Sequence, residues 1–329
     1  MTRTLSDKTG PLLALASFAL FAVHDVIVKL LGGVYSPVQI LFFSALFGFP
    51  FLTILLIRDK EPGTLRPRHP WWTGARTVLA VVTSLSAFYT FSVLPLAQTY
   101  ALLFASPLLV TLLSIPILGE RVGMRRIIAV VVGLGGVLVV LQPTAETLTP
   151  GHIAGLTAAV GSASGGVITR KIGRDERSAV MLAYPMLINI LAMGVLLPFI
   201  YEPMPLTHLL GMVAIAGLAF VGAALIIMAY RRGAAVTVAP MQYSQIIWAS
   251  VFGVLLFSEV PTLSTLIGAT IIIASGIYIV LREDRRKGDS LRPVLTTRIR
   301  SGIGAHPKIG SVPHDNGLSG TTDQPADRQ

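Results

Sequence analysis

The chain has 329 residues, of which 53% are hydrophobic and only 13% charged, and its mean hydropathy is +0.73. A soluble domain carries about 25% charged residues, so a cytoplasmic enzyme is excluded. The absence of cysteine rules out a disulfide framework and a thiolate metal site, and the formal charge of +10 sits in short loops and in the tail rather than on a nucleic-acid-binding face.

Ten apolar spans are expected, near 11–31, 37–57, 73–93, 97–117, 124–142, 151–171, 178–200, 208–230, 236–257 and 262–282. Each is close to the length of about 20 residues that crosses a bilayer core as a helix. The first span carries His24, Asp25 and Lys29 with no clear cleavage site after it, and reads as a retained helix rather than a signal peptide. The charge-free run 77–119 is too long for one crossing. Leu94-Pro95 divides it, because proline removes a backbone donor and clashes with the preceding turn. Pro107 interrupts the hydrogen-bond ladder of the fourth span. Further breaks fall at Gly32-Gly33, Ser36-Pro37, Pro143, Pro150, Pro203, Pro205 and Pro261. Residues 1–10 form a short N-terminal segment. Residues 283–329, rich in Arg, Gly, Pro, Ser and Asp, are expected to be a disordered basic tail whose Arg285-Arg286-Lys287 cluster lies at an anionic leaflet.

Basic residues set the orientation. Arg58, Lys60, Arg66, Arg68, Arg76, Arg121, Arg125, Arg126, Arg170, Lys171, Arg174, Arg177, Arg231 and Arg232 lie in or beside alternate loops, and Arg3, Lys8 and the tail fall on the same side. The other loops, 32–36, 94–96, 143–150, 201–207 and 258–261, contain no Lys or Arg. Lys29 is the lone basic residue inside a span. An odd number of crossings would scramble this partition, so ten are expected, with both termini cytoplasmic.

The two halves repeat. ASPLLVTLLSIPILGE at 105–120 matches SQIIWASVFGVLLFSE at 244–259, which pairs Glu120 with Glu259. IIAVVVGLGGVLVVL at 127–141 matches IGATIIIASGIYIVL at 267–281, and Val26-Ile27-Val28-Lys29 matches Val167-Ile168-Thr169-Arg170 more faintly. Each copy holds five helices. Five is odd, so the second copy is inverted, the recurring architecture of secondary transporters with a substrate site near mid-membrane.

Residues 95–143, from PLAQTYALLFASPLLV to VLVVLQP, and residues 235–281, from AVTVAPMQYSQIIWAS to IYIVL, resemble the EamA domain of the drug/metabolite transporter superfamily. The resemblance spans about residues 11–282, as repeats over 11–142 and 151–282. It implies an all-α, ten-helix carrier of the bacterial inner membrane. It implies that the first, third, fourth, sixth, eighth and ninth helices surround a cavity, while the fifth and tenth brace the assembly or form a homodimer contact. The motif LFAVHDVIVKLL in the first helix is similar to a branch associated with riboflavin and S-adenosylmethionine uptake.

Asp25 is the most informative single residue. A carboxylate deep in a bilayer helix costs roughly 2.5–3.5 kcal/mol and must face a partner or a wet cavity. Two readings stand: a local ion pair with Lys29 one turn on, with Lys29 reaching toward the headgroups, or a proton- or substrate-binding carboxylate. His24 neighbours it, about 100° around the helix, and could relay a proton. Gln242, Gln245 and Trp248 on the ninth helix could bind and stack a planar ligand. Gln98, Tyr100, Tyr89 and Asn189 on the fourth, third and seventh helices complete the candidate substrate set. Coupling or gating candidates are Asp25, His24, Lys29, Glu120 and Glu259, the glutamates alternatively capping the next helix and pairing with neighbours such as Arg121. His152 reads as interfacial. Gly133, Gly136, Gly161, Gly165, Gly268 and Gly276 would permit close helix approach.

No Walker loop, HExxH or GxSxG is present. The expectation is a secondary active transporter without metal or cofactor, moving a small organic metabolite by alternating access with a proton as the candidate coupling ion. A vitamin- or nucleoside-like planar solute such as riboflavin is the leading substrate, and an amino-acid, metabolite or drug exporter is the alternative. A membrane-embedded enzyme or a non-transporting sensor is the rival class.

Overall fold

The computed structural model describes residues 6–57, 64–120, 122–142, 148–173, 175–233 and 235–285. Their helices are α1 (Ser6–Gly32), α2 (Pro37–Ile57), α3 (Pro70–Val93), α4 (Leu96–Leu103), α5 (Ala105–Leu118), α6 (Met124–Leu141), α7 (Pro150–Ile172), α8 (Ser178–Ile200), α9 (Leu206–Arg232), α10 (Ala235–Val238), α11 (Ser244–Phe257) and α12 (Leu263–Arg285). A 3₁₀ turn, Ala239–Tyr243, joins α10 to α11, and no strand occurs among the described residues.

A helix or broken helix stands at each of the ten expected places. Eight are long and apolar enough to cross a membrane: α1, α2, α3, α4 with α5, α6, α8, α9 and α12. Of the other two, α7 is dense in Gly, Ala, Ser and Thr, and α11 is shortened by the 3₁₀ turn before it. The N-terminal segment is not separate, since α1 already begins at Ser6. The last helix runs on to Arg285, into the expected tail, and the rest of that tail lies outside the described residues.

Local chemistry sets the helix ends. Pro37, Pro70 and Pro150 each open a helix, where a missing N–H costs nothing and φ is already helical. Both repeats close one helix in the same way. Gly119 (φ 69°) ends α5 and Ser258 (φ 56°) ends α11. The following amides return to the helix, Glu120 N–H to Ser114 at 3.4 Å and Glu259 N–H to Gly253 at 2.9 Å.

The fourth span steps at Phe104, not at Pro107 itself. Pro107 leaves the Leu103 carbonyl without its donor and its ring crowds that carbonyl, so the break appears upstream. The ninth span, expected to be continuous, is interrupted at the equivalent place, where Pro240 stands in the 3₁₀ turn.

Packing obeys the repeat. α1 lies on α9 and the equivalent α7 lies on α3, while α6 packs on α12, α2 on α8 and α4 on α11. Individual contacts exchange too. Tyr35 Oη meets His208 Nδ1 at 2.7 Å, and in the other copy Glu176 Oε1 accepts from the His69 amide at 2.7 Å. The copies run in opposite directions. Lys29, near the C-terminal end of α1, donates to the carbonyl of Leu94, and Gly151, at the N-terminal end of α7, lies against Val93 and Leu94. Equivalent helices α1 and α7 are therefore antiparallel.

Arg76, Arg170, Lys171 and Arg177 gather at one end of the molecule, termed here the basic end. There Arg76 bonds Thr169 and Met181, and Lys171 sits 4.1 Å over the Trp72 ring. Large apolar side chains face outward, among them Phe199 (83% exposed) and Leu255 (73%). Such a surface is suited to lipid, and the chain is a multi-pass membrane protein. Gly136 and Gly268 let α6 and α12 touch backbone to backbone: a Cβ on Gly136 would lie 2.9 Å from the Gly268 carbonyl. Gly165 has open space around its missing side chain and plays no such part.

Candidate functional site

The site is built from α1, α4 and α11, with the two helix breaks beside it. Asp25 faces inward from the middle of α1 and is 3% exposed. Tyr100 of α4 donates its hydroxyl to Oδ2, and His24 Nδ1 lies 2.7 Å from Oδ1. Gln245 of α11 reaches the Tyr100 hydroxyl at 3.5 Å. These contacts satisfy oxygens whose burial would otherwise be costly.

Two expectations for this region change. His24 and Asp25 were expected on separate faces, but the imidazole turns back onto the carboxylate, with its outer edge against Phe88 at a centroid distance of 6.2 Å. The ion-pair partner of Lys29 is not Asp25. Lys29 binds Glu259 at 2.7 Å, partly buried just past the end of α11. Asp25 lies one turn deeper, within reach of the Tyr100 hydroxyl, while Lys29 stands level with the α3–α4 turn.

Aromatic rings line the route from α3 to the second break. Phe91 meets Tyr100 at 5.5 Å, Tyr100 meets Phe104 at 5.9 Å, and Phe104 meets Tyr243 edge-on at 5.1 Å. Phe104 and Tyr243 are repeat equivalents, so the breaks touch each other. Around them several buried polar atoms have no partner: Ser106 Oγ, Ser244 Oγ and Trp248 Nε1. Unpaired buried donors are costly, and a ligand is one way to satisfy them. Breaks in two symmetry-related helices free backbone groups for the same purpose.

The remaining candidates divide. Gln98, two residues before Tyr100 on α4, points elsewhere and contacts His152 Nε2 at 2.9 Å. His152 is more than an interfacial residue: its Nδ1 accepts from the Thr149 amide at 3.1 Å and closes a capping box at the start of α7. Gln98 and His152 line a cleft of about 220 Å³ with Gln142, Ala249, Gly253 and Glu259 at the end opposite the basic one. Tyr100 and Gln245 lie one helical turn further in, so the cleft lies above the polar cluster and does not contain it. Gln242 belongs to the 3₁₀ turn and Tyr89 is half-buried on α3. Asn189 is buried on α8 with its Oδ1 unpartnered.

Neither glutamate caps the helix after it. Glu259 Oε2 accepts from the Leu96 amide at 3.1 Å and so caps α4, while Glu120 binds Arg170 through both guanidinium nitrogens. Arg121, its expected partner, lies outside the described residues. Arg170 was not among the candidates, although its match to Lys29 across the repeat was a signal that pointed to it.

Broken helices paired across an inverted repeat are a recurring arrangement of membrane transporters. The EamA-like transporter family matches twice, over residues 8–142 and 149–282. The chain belongs to that family. It is similar to the S-adenosylmethionine uptake transporter of Rickettsia bellii, 26% identical over 82% of this chain and 93% of the relative. It is also similar to the pseudopaline exporter of Pseudomonas aeruginosa strain UCBPP-PA14, 26% identical over 82% and 95%. An uncharacterized transporter of Helicobacter pylori strain 26695 is 26% identical over 79% and 91%. A solved crystal structure shares the fold, with a TM-score of 0.53 and 19% identity over 88% of this chain and all of that one.

Proposed function

We propose that the chain is a secondary carrier that moves a small organic metabolite by alternating access. It crosses a bacterial inner membrane ten times, with the basic end and both termini in the cytoplasm. The observation that carries this reading is Asp25, a buried carboxylate held by groups from two helices beside paired breaks. Proton exchange on Asp25, with His24 as the relay, would couple transport to the proton gradient.

The substrate is a planar, nucleoside- or vitamin-like solute. The aromatic run from Phe91 to Tyr243 supports this, as do the unpartnered Trp248 Nε1, Ser106 and Ser244 beside it. S-adenosylmethionine, named for the Rickettsia relatives, and riboflavin are the two probes of choice. Export of a metabolite is the second reading, favoured by the likeness to the pseudopaline exporter.

The test is uptake of labelled S-adenosylmethionine and riboflavin into proteoliposomes with and without an imposed pH gradient. Saturable, gradient-dependent uptake that Asp25→Asn abolishes is expected. Unchanged gradient dependence in Asp25→Asn overturns the coupling role. Chemical conversion of either probe would point to an enzyme, and flux without saturation to a channel.

A further inference from the structure

Lys29 and Arg170 are equivalent across the repeat, and so are Glu120 and Glu259. The structure pairs them crosswise. Lys29 of the first copy binds Glu259 of the second, and Arg170 of the second binds Glu120 of the first. The first pair joins α1 to the end of α11, and the second joins α7 to the end of α5. Because the copies are antiparallel, the pairs stand at opposite ends of the molecule, one at each mouth of the seam.

The two mouths are not in the same state. At the non-basic end, Lys29 also donates to the Leu94 carbonyl at 2.5 Å, and Glu259 also takes the Leu96 amide. These bonds tie α1, the α3–α4 turn and α11 into one knot. Gly32 lies against Ser92 there, and α1 packs on α3. The equivalent helices at the basic end, α7 and α9, make no comparable contact among the described residues.

We propose that Lys29–Glu259, with its bonds to the α3–α4 turn, is a latch that holds the non-basic mouth shut, while Arg170–Glu120, already formed in this same conformation, ties α7 to the end of α5 in both states. The structure is the conformation with the non-basic mouth closed. Passage to the opposite conformation breaks the Lys29 knot and draws α7 toward α9 around the Arg170 pair. A latch made only in one conformation shifts the equilibrium by its differential free energy and does nothing when it is equally strong in both. These four residues position the helices and do not touch the solute. The proposal rests on the carrier reading above.

The chain has no cysteine, so one introduced thiol reports access to the seam. Ser106→Cys places it beside the first helix break, and Ser244→Cys beside the second serves as a second reporter. Each is labelled with a membrane-impermeant maleimide in sealed vesicles of either orientation. Both partners of a pair are neutralised together, because removing one leaves a partly buried charge unpaired. Lys29→Met with Glu259→Gln is expected to speed labelling from the non-basic end and slow it from the basic end. For this pair the change in the ratio of the two rates should be roughly fivefold or more, the lower range of coupling between sites. Arg170→Met with Glu120→Gln, which removes a pair present in both states, is expected to leave the ratio unchanged. The charge exchange Lys29→Glu with Glu259→Lys, which remakes the pair but not the bonds to the Leu94 carbonyl and the Leu96 amide, should restore the original ratio only in part. Equal changes at both ends on neutralising the Lys29 pair, or none, overturn the proposal. Labelling needs no solute. Opposite changes at the two ends without uptake of any probe therefore keep the latch and remove the transport reading, whereas uptake with unaltered labelling does the opposite.

Discussion

Phe104 meets Tyr243 edge-on, with ring centroids 5.1 Å apart and planes at 81°. Each ring stands at the break of its own helix, and the two residues are equivalent in the repeat. The contact thus marks the place where the inverted copies cross. Beside it, Pro107 sustains the first break by leaving the Leu103 carbonyl without a donor. Pro107→Ala should let α4 and α5 join as a continuous helix. We expect a stabilisation of about 1–3 kcal/mol, up to the full cost of a helix-interior proline, together with slower solute exchange. Thermal unfolding in detergent and an exchange assay on the same sample check both halves.

Tyr100→Phe removes the hydroxyl that Asp25 accepts from. The buried carboxylate keeps the His24 contact but loses its cross-helix bond. A loss of about 1–3 kcal/mol is expected, the cost of an unsatisfied buried polar group. A shift in melting temperature would measure it. No loss of stability would mean that the hydroxyl does not hold the carboxylate.

Ser258 adopts φ 56° at the position where the first repeat has Gly119 at φ 69°. A side chain in the left-handed region costs roughly 1–2 kcal/mol. Ser258→Gly should therefore stabilise the protein by about 1 kcal/mol, and Gly119→Ala should destabilise it by a similar amount. The two melting temperatures should move in opposite directions.

The α6–α12 contact tolerates no side chain at Gly136, where an added Cβ would lie 2.9 Å from a backbone oxygen. Gly136→Val should cost about 1–3 kcal/mol through overpacking. Gly165→Ala, with open space around it, should be neutral or slightly stabilising. Equal effects of the two substitutions would contradict the close approach of α6 and α12.

Much of this fold was legible in the sequence because its strongest signals are collective. Apolar runs broken by proline located the helices, and the segregation of Lys and Arg divided the loops into two sets. The match of Glu120 with Glu259 exposed the duplication. What stayed hidden depends on pairs far apart in the chain. Lys29 sits one turn from Asp25, and local spacing favoured that pair. The Leu94 carbonyl and Glu259 compete for the ammonium only once α3 and α11 are in place. Tyr100 as the partner of Asp25 was hidden for the same reason. The break at Pro240 was missed because 236–257 reads as one continuous span, although the proline itself was a signal for it.

The account depends on the second copy being inverted relative to the first. Val34 and Asp175 are equivalent exposed residues in the connections after α1 and α7. In the cysteine-free chain, Val34→Cys and Asp175→Cys can each be treated in intact cells with a membrane-impermeant thiol reagent. Labelling of the Val34→Cys protein from outside, and of the Asp175→Cys protein only after the cells are opened, is the predicted result. Labelling of both from the same side would contradict the inverted pair and the carrier built on it.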